Sequence, residues 1–419
     1  MKIRNKIMGM MVLLSSVPAF TAGLSAPMSF DGTTVLPKGI RNLRYTGVMI
    51  QGEEKFNENG QEVTIASPFF KDVTFKDLIN GKKEAERQGL TEGYLKAHGF
   101  KKDEIVGSTN GDISVRAAAH VAIIGYGLTE KITLAGALPV VKYKVNVATG
   151  FNSTKRLRDF AGTLKKDGRM YELTELGEKM ANPIATKLEK YNYRPLKNEE
   201  GTKIGDAKLI AKYQAFKNDK NTLAFQGILT LPTGVEEDIN KALDIPTGDG
   251  QTDLGLGIIH DFKASDKFTL TSALEYTYQT GDEVAARVPE VDNSKISEDI
   301  DNNVQRKLGN IVRGQFNFKY KAFKGITLGS GYTYQFKQGD TFSGSKFSSE
   351  RYGWMGRFGQ APEQSMHSLL LQADFSTIPL FKEKKFPVPL KLTLNHALVV
   401  KGSNVSKDPR SSLDFSLFF

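Results

Sequence analysis

Cysteine is absent from the 419-residue chain, which removes disulfide scaffolds, thiolate metal sites and cysteine nucleophiles together. Long apolar runs are nearly as scarce. The one uninterrupted apolar tract lies at the extreme N-terminus, whereas a helical-bundle membrane protein needs many tracts of about 20 residues. Apolar residues form 39% of the chain, below the roughly 45 to 50% of soluble globular proteins, a norm that also counts glycine. Mean hydropathy, at -0.34, is modestly polar. No basic block stands out either: 57 Lys and Arg are interspersed with 47 Asp and Glu, so the formal charge of +10 does not mark a nucleic-acid surface.

The first residues read as an address. Lys2, Arg4 and Lys6 form a positive region, Ile7 to Phe20 is apolar, and small residues follow at Val17/Ala19 and Thr21/Gly23. This pattern predicts a secretory signal peptide over residues 1–23, cleaved somewhere between 19 and 26. Losing those three cations takes the charge from +10 to +7. The mature chain is expected outside the inner membrane.

From Asp112 onward, apolar and polar residues alternate over about ten positions and then break at Gly, Asn, Asp or a Lys-rich pair. In Asp112 to Tyr126 one face reads Ile113, Val115, Ala117, Ala119, Val121, Ile123, and the other carries Ser114, Arg116 and His120. Asp206 to Phe216 sets Leu209, Ala211 and Tyr213 against Asp206, Lys208, Ile210 and Lys212. Two further segments, Phe268 to Tyr278 and Val312 to Lys321, place aromatic residues toward their ends. Aromatic bands flanking an apolar belt suit the exterior of a lipid-facing barrel.

Counting such segments gives about twelve, near Ile40, Ile113, Ile132, Ala207, Leu223, Leu254, Phe268, Leu308, Ile326, Leu369, Leu390 and Leu413. Short turns and long connections alternate between them, as in a membrane barrel with both termini in the periplasm. The expected fold is all-β: a transmembrane antiparallel up-and-down barrel of residues 40–419, of about 12 strands, or 14 if the inserts hide a hairpin. Its large outer loops are 52–111 and 148–203, with helical stretches expected at Phe75 to His98, Leu157 to Leu164, Tyr171 to Lys190 and Ser297 to Leu308. The segment 24–39 either plugs the lumen from the periplasmic side or hangs free. A soluble sandwich would bury the apolar face in a core; the even strand number, the turn asymmetry and the ionic second face favour lipid outside.

Three stretches carry a family resemblance. Tyr126-Gly-Leu-Thr-Glu-Lys-Ile-Thr-Leu134 with Ala137-Leu-Pro-Val-Val141 is one; Leu231-Pro-Thr-Gly234 followed by Asp249 to Gly257 is the second; the aromatic C-terminus Phe419 is the third. Together they resemble an outer-membrane family named after the meta-pathway of phenol degradation, with broader likeness to fatty-acid and aromatic-hydrocarbon uptake barrels. The resemblance implies passive passage of small solutes, aromatic or apolar compounds among them. It also implies that Phe415, Leu417 and Phe419 form the terminal signal presented to the barrel-assembly machinery. In the uptake barrels a strand kink opens a lateral exit, and Pro139 stands inside a predicted strand where the apolar phase slips at Val140 and Val141. A β-bulge at Pro139 would account for both facts.

Candidate chemistry is thin. The histidines, His98, His120, His260, His367 and His396, show no motif of an outer-membrane phospholipase, and His98 beside Gly99 suits a helix end. Asp292-Asn293-Ser294 and Asp249 with Asp253 do not match a calcium loop. The chain is therefore read as no enzyme, with no metal and no cofactor. Function is placed in the lumen, with Arg116, His120, Lys208, Lys212, Arg313, Lys319 and Lys391 facing Asp206, Asp253, Glu275 and Asp374. Such a lining either stiffens the wall by salt bridges or sets a transverse field, with a mild bias toward anions. The expected partners are outer-membrane lipid, the assembly machinery and a small solute. The expected function is passive uptake through a channel; the alternative is a closed barrel whose outer loops engage a surface partner.

Overall fold

The period-two alternation becomes twelve long strands in the computed structural model, which describes residues 32–67, 70–80, 92–181, 188–292, 296–357 and 361–419. They are β1 Arg41–Gly52, β2 Ile105–Gly127, β3 Ile132–Ser153, β4 Ala207–Lys217, β5 Asn221–Leu231, β6 Asp253–Lys263, β7 Phe268–Gln279, β8 Ile311–Phe323, β9 Ile326–Lys337, β10 Gln364–Ser376, β11 Leu390–Ser403 and β12 Arg410–Phe418. Each pairs antiparallel with its chain neighbours, and β1 also pairs with β12, from Asn42↔Phe418 to Ile50↔Arg410. The sheet thus closes with no free edge, the condition for strands to cross a bilayer. Two short strands, Lys71–Thr74 and Glu199–Ile204, pair only with the far ends of β2 and β3, so the closed barrel holds twelve strands and not fourteen. The signal peptide expected over 1–23 lies outside the described residues.

The two faces differ as a lipid-facing barrel requires. Leu256 and Met49 are each 70% exposed and Ile124 66%, all on the outside. Arg313, Gln315, Asn317, Gln335, Gln372 and Asp374 are buried on the inside. Exposed aromatics cluster near both ends of the belt: Tyr276, Tyr278 and Tyr334 toward the long loops, Phe262, Phe268 and Phe323 toward the short turns.

β2 and β3 have 23 and 22 residues, about twice the 9 to 11 that a bilayer core needs. Their excess length stands beyond the lipid belt at the long-loop end and takes in residues that the sequence pattern assigned to loops 52–111 and 148–203. There the polarity rule inverts. Val115, Ala117 and Ala119 of β2 and Val141, Tyr143 and Val145 of β3 point inward and pack against Leu188, Ile245 and Ile296 of the inserts. The loops have folded into the barrel mouth and made it a hydrophobic core. Outside, in water, stand Arg116, Lys142 and Lys144.

A second core joins the inserts to that hairpin. Helix α1 (Phe75–Asn80), α2 (Glu92–Ala97), α3 (Lys155–Lys166) and α4 (Met170–Ala181) supply it. The α3 helix starts where the Thr154 hydroxyl accepts the Leu157 amide, and it buries Leu157, Phe160 and Leu164, spaced along one face. Phe160 packs edge-on against Phe75 and Phe100 at 4.9 and 5.1 Å between centroids. One expected helix is absent: Ser297 to Leu308 contains the strand Ile300–Lys307, which pairs with Gly281–Arg287. Its charged residues suggested a solvated helix, but Val304 and Asp301 alternate into the packed side, where a partner strand satisfies the backbone.

Candidate functional site

The lumen holds one cavity of about 1650 Å³, bounded by Thr34 to Pro37 near the short-turn end and by Val284 to Arg287 near the long-loop end. Strand register decides what faces it. Across β4 to β7 the inward residues form three successive rungs. Lys208, Thr230, Asp253 and Gln279 make the first, Ile210, Ile228, Gly255 and Thr277 the second, and Lys212, Gln226, Gly257 and Glu275 the third. A polar rung, an apolar rung and a second polar rung are thereby stacked two residues apart, about 7 Å per step at strand rise.

From β7 on through β8 to β12 and β1, the wall is a mesh of paired charges. Arg313 Nη1 lies 3.4 Å from Glu275 Oε1 while Nη2 donates to Gln335 Oε1 at 2.9 Å. Lys391 lies 3.5 Å from Asp374, which also accepts from Thr393 and Gln372 at 2.6 Å each. Arg44 lies 3.2 Å from Asp414, which accepts from Thr46 at 2.5 Å and from Asn395 at 3.0 Å. Asp374 and Asp414 are each shared by a cation and neutral donors, and Glu275 is paired with Arg313. The wall formed by β2 and β3 is mostly apolar, with Val121, Ile123, Ala135 and Ala137 lining the cavity. The lumen therefore has one greasy side and one ionic side.

Several expected site residues line this cavity: Asp206, Lys208, Lys212, Asp253, Glu275, Arg313 and Lys391. Asp374 points inward but is used up in the mesh below the surface. Lys319 shares the inward phase of Arg313, beyond Asn317 toward the short turns, and does not border the cavity. Arg116 and His120 belong to the other side. Both are exposed on the outer surface, where the His120 ring lies 2.6 Å from the Tyr45 hydroxyl. Their assignment to the lumen fails because the apolar face of β2 turns to the core made by the inserts, not to lipid. Missed by the pattern were Arg44 and Asp414 on the first and last strands and Lys337 and Arg306 at the long-loop end. Extending each strand's phase to its full length would have placed Arg44, Asp414 and Lys337 inside.

Pro139 lies inside β3 and points into the cavity. The ladder between β2 and β3 runs through Val121↔Pro139 with no register shift, so β3 has no bulge there. The extra residue lies in the facing chain. β3 pairs with β4 up to Ala137↔Lys208 and resumes with the strand Glu199–Ile204 at Val140↔Ile204, leaving Gly205 and Asp206 as the irregular pair. Gly205 N donates to Pro139 O at 2.9 Å. In a strand, N–H and C=O of one residue point the same way, so the missing proline N–H faces that irregularity and costs the β2 ladder nothing. Asp206 sits there, outside the strands. Burial pushes its carboxyl up to about 6, against the pull of the Gly234 amide that donates to it.

Residues 32–37 enter the barrel from the short-turn end. Thr33 N and Oγ1 donate to Asp261 Oδ2 at 2.8 and 2.6 Å, Lys212 Nζ donates to Gly32 O at 3.1 Å, and Leu36 N donates to Thr133 at 2.7 Å. Gly32 has φ +65°, and a Cβ there would lie 2.4 Å from Asp261 Oδ2. The histidines are scattered: His98 meets Asp167 at 3.2 Å, beside Tyr94, and His260, His367 and His396 contact Asn221, Tyr332 and Ser411. Burial, followed by its bond to Asp167, pushes the Tyr94 hydroxyl up to about 12. Among the described residues no group of three or more His, Cys, Asp or Glu could hold a metal ion.

The fold has known relatives. An outer membrane channel from Pseudomonas putida F1 superposes with a TM-score of 0.52 at 12% identity, covering 94% of this chain and all of that one. The toluene transporter TbuX of Ralstonia pickettii covers 99% of both chains at 10% identity, with a TM-score of 0.35. The first likeness shows a shared barrel fold; the second is too loose to show even that. No curated protein matches. The family described as "Putative MetA-pathway of phenol degradation" matches residues 102–356, more than half of the chain, from the long hairpin through the inserts to β9. The chain belongs to that family.

Proposed function

We propose that the protein is a passive outer-membrane channel for small solutes, aromatic or apolar compounds among them, and not an enzyme. One observation carries this reading: the cavity of about 1650 Å³ runs along the lumen between the two ends of a closed barrel and is bordered by ionic and apolar residues together. A packed barrel serving only as an anchor needs no such space. The proposed lumen set is Asp206, Lys208, Lys212, Asp253, Glu275, Arg313 and Lys391. The long-loop end faces the cell exterior and the short turns and both termini face the periplasm, as the alternation of connections suggests. The Pseudomonas protein of the same fold is itself described as an outer membrane channel. Phe415 and Phe419, exposed at the end of β12, are available to lipid and, during insertion, to the assembly machinery.

The rival reading, a closed barrel with a binding surface, draws on the inserts that pack into the mouth. Reconstitution in planar bilayers separates the two. Stepwise conductance in KCl supports the channel. Its absence, in the full chain and after shortening the loops 52–111 and 148–203, supports the closed barrel.

A further inference from the structure

The three rungs of β4 to β7 leave polar atoms unused. Asp253 Oδ1, Gln279 Oε1 and Glu275 Oε2 are buried and accept no hydrogen bond. Gln279 is 5% exposed and Glu275 6%. Gln315, Asn317 and Gln372 also carry open polar atoms, but Asp253 and Glu275 are the two carboxylates of the described residues with an open buried oxygen, and Glu275 holds Arg313 with its other oxygen. Lys208 is the matching exception among the cations. Among the described residues it has no hydrogen bond or ion pair; Arg313 on one side and Glu275, Asp253 and Asp206 on the other act on it only through space. It borders the cavity on the same rung as Asp253, with Thr230 between them.

Below that rung lies a shelf without charge. Ile210 and Ile228 present branched apolar side chains, and the next position is Gly255, which has none. Between Ile228 and Thr277 the wall presents bare backbone at Gly255, where a Cβ would lie 3.2 Å from Ile228 Cβ, so the isoleucine packs close over it. A flat apolar body can lie on Ile210 and Ile228 with its edge over Gly255, one step from a free ammonium and from open acceptors.

Building on the channel reading, we infer that this part of the lumen is a binding station for hydroxylated aromatic carboxylates. The solute carboxylate meets Lys208, the ring rests on the Ile210–Ile228 shelf, and the hydroxyl donates to Asp253. Each group of such a molecule answers a group the protein leaves unpaired. A simple hydrocarbon would cover the shelf but leave the ammonium and the acceptors buried and unmet. A simple anion would meet Lys208 and leave the acceptors unmet.

The test is block of KCl current through the reconstituted full chain by 4-hydroxybenzoate, benzoate and phenol. Expected is half-block by 4-hydroxybenzoate at a concentration about tenfold below that of either comparison compound, the low end of what one hydrogen bond to a charged group is worth. Lys208→Met removes the advantage of both carboxylates over phenol, and Lys208→Arg retains it. Asp253→Ala brings 4-hydroxybenzoate to the level of benzoate. Heat-modifiable gel mobility identifies folded barrels, and Lys208→Arg reads the charge even where Lys208→Met does not fold. Equal half-block by the three compounds, or a preference that survives Lys208→Met, overturns the station and leaves the channel standing. No conductance, in the unaltered protein and after shortening the inserts, overturns both.

Discussion

Thr33 reaches across 228 positions of sequence to Asp261, giving it both its amide and its hydroxyl. Asp261 also accepts the Thr271 hydroxyl at 2.5 Å, so one carboxylate ties the entering N-terminal segment to β6 and β7 together. That segment narrows the short-turn end of the lumen.

Asp261→Ala removes the anchor, and Gly32→Val drives a side chain into it at a backbone angle that branched residues avoid. Both variants are expected to widen single-channel conductance and to lose about 1.5 to 3 kcal/mol of stability, the worth of hydrogen bonds to a charged group. Equal conductance in the variants and the unaltered protein would show that residues 32–37 do not limit flow.

Arg313 and Glu275 neutralise each other in side chains 8% and 7% exposed. Arg313→Gln leaves Glu275 buried without its cation, a change that costs about 3 to 5 kcal/mol. The barrel is expected to lose its compact gel form at a lower temperature, and the Arg313→Gln/Glu275→Gln double variant is expected to recover most of the loss. Pairing Arg313→Glu with Lys319→Glu turns two inward cations into anions, and reversal potentials are expected to move toward cation preference.

Asp206 sets a pH response. With its carboxyl at about 6 rather than 3.8, it is neutral in acid and ionised above about 6. Raising the pH from 5 to 7 therefore adds a negative charge at the cavity wall, and cation permeability is expected to rise across that window. The folded state holds this proton more tightly than the unfolded chain, so the contribution of Asp206 to stability is greatest in acid and declines as pH climbs from about 4 to 6. In Asp206→Asn the reversal potential should no longer move in that range.

Arg116 and His120, on the outer surface, should not touch the current. Arg116→Leu is expected to leave conductance and ion preference unchanged. A shifted reversal potential would return this residue to the lumen.

Much of the architecture was legible because one physical rule governs it: between lipid and a wet interior, residues alternate. Twelve strands, the alternation of short and long connections and the inward places of Lys208, Asp253 and Arg313 all follow from that rule applied locally. The rule fails at Arg116, where the same alternation continues but its two environments have exchanged, water outside and a packed apolar core within. No property of residues 112–126 themselves records the exchange. It is produced by Leu188, Ile245 and Ile296, which arrive from distant inserts.

Sequence by itself determined that the ribbons are two-faced, that there are about twelve and where they turn, since each of these depends on neighbours a few positions apart. Tertiary structure alone decided which face of the long hairpin is wet, that the irregularity lies opposite Pro139 and not in it, and that Lys208, Thr230, Asp253 and Gln279 share a rung. Those outcomes depend on register and on loop packing, which bring together residues whose spacing along the chain carries no periodic signal.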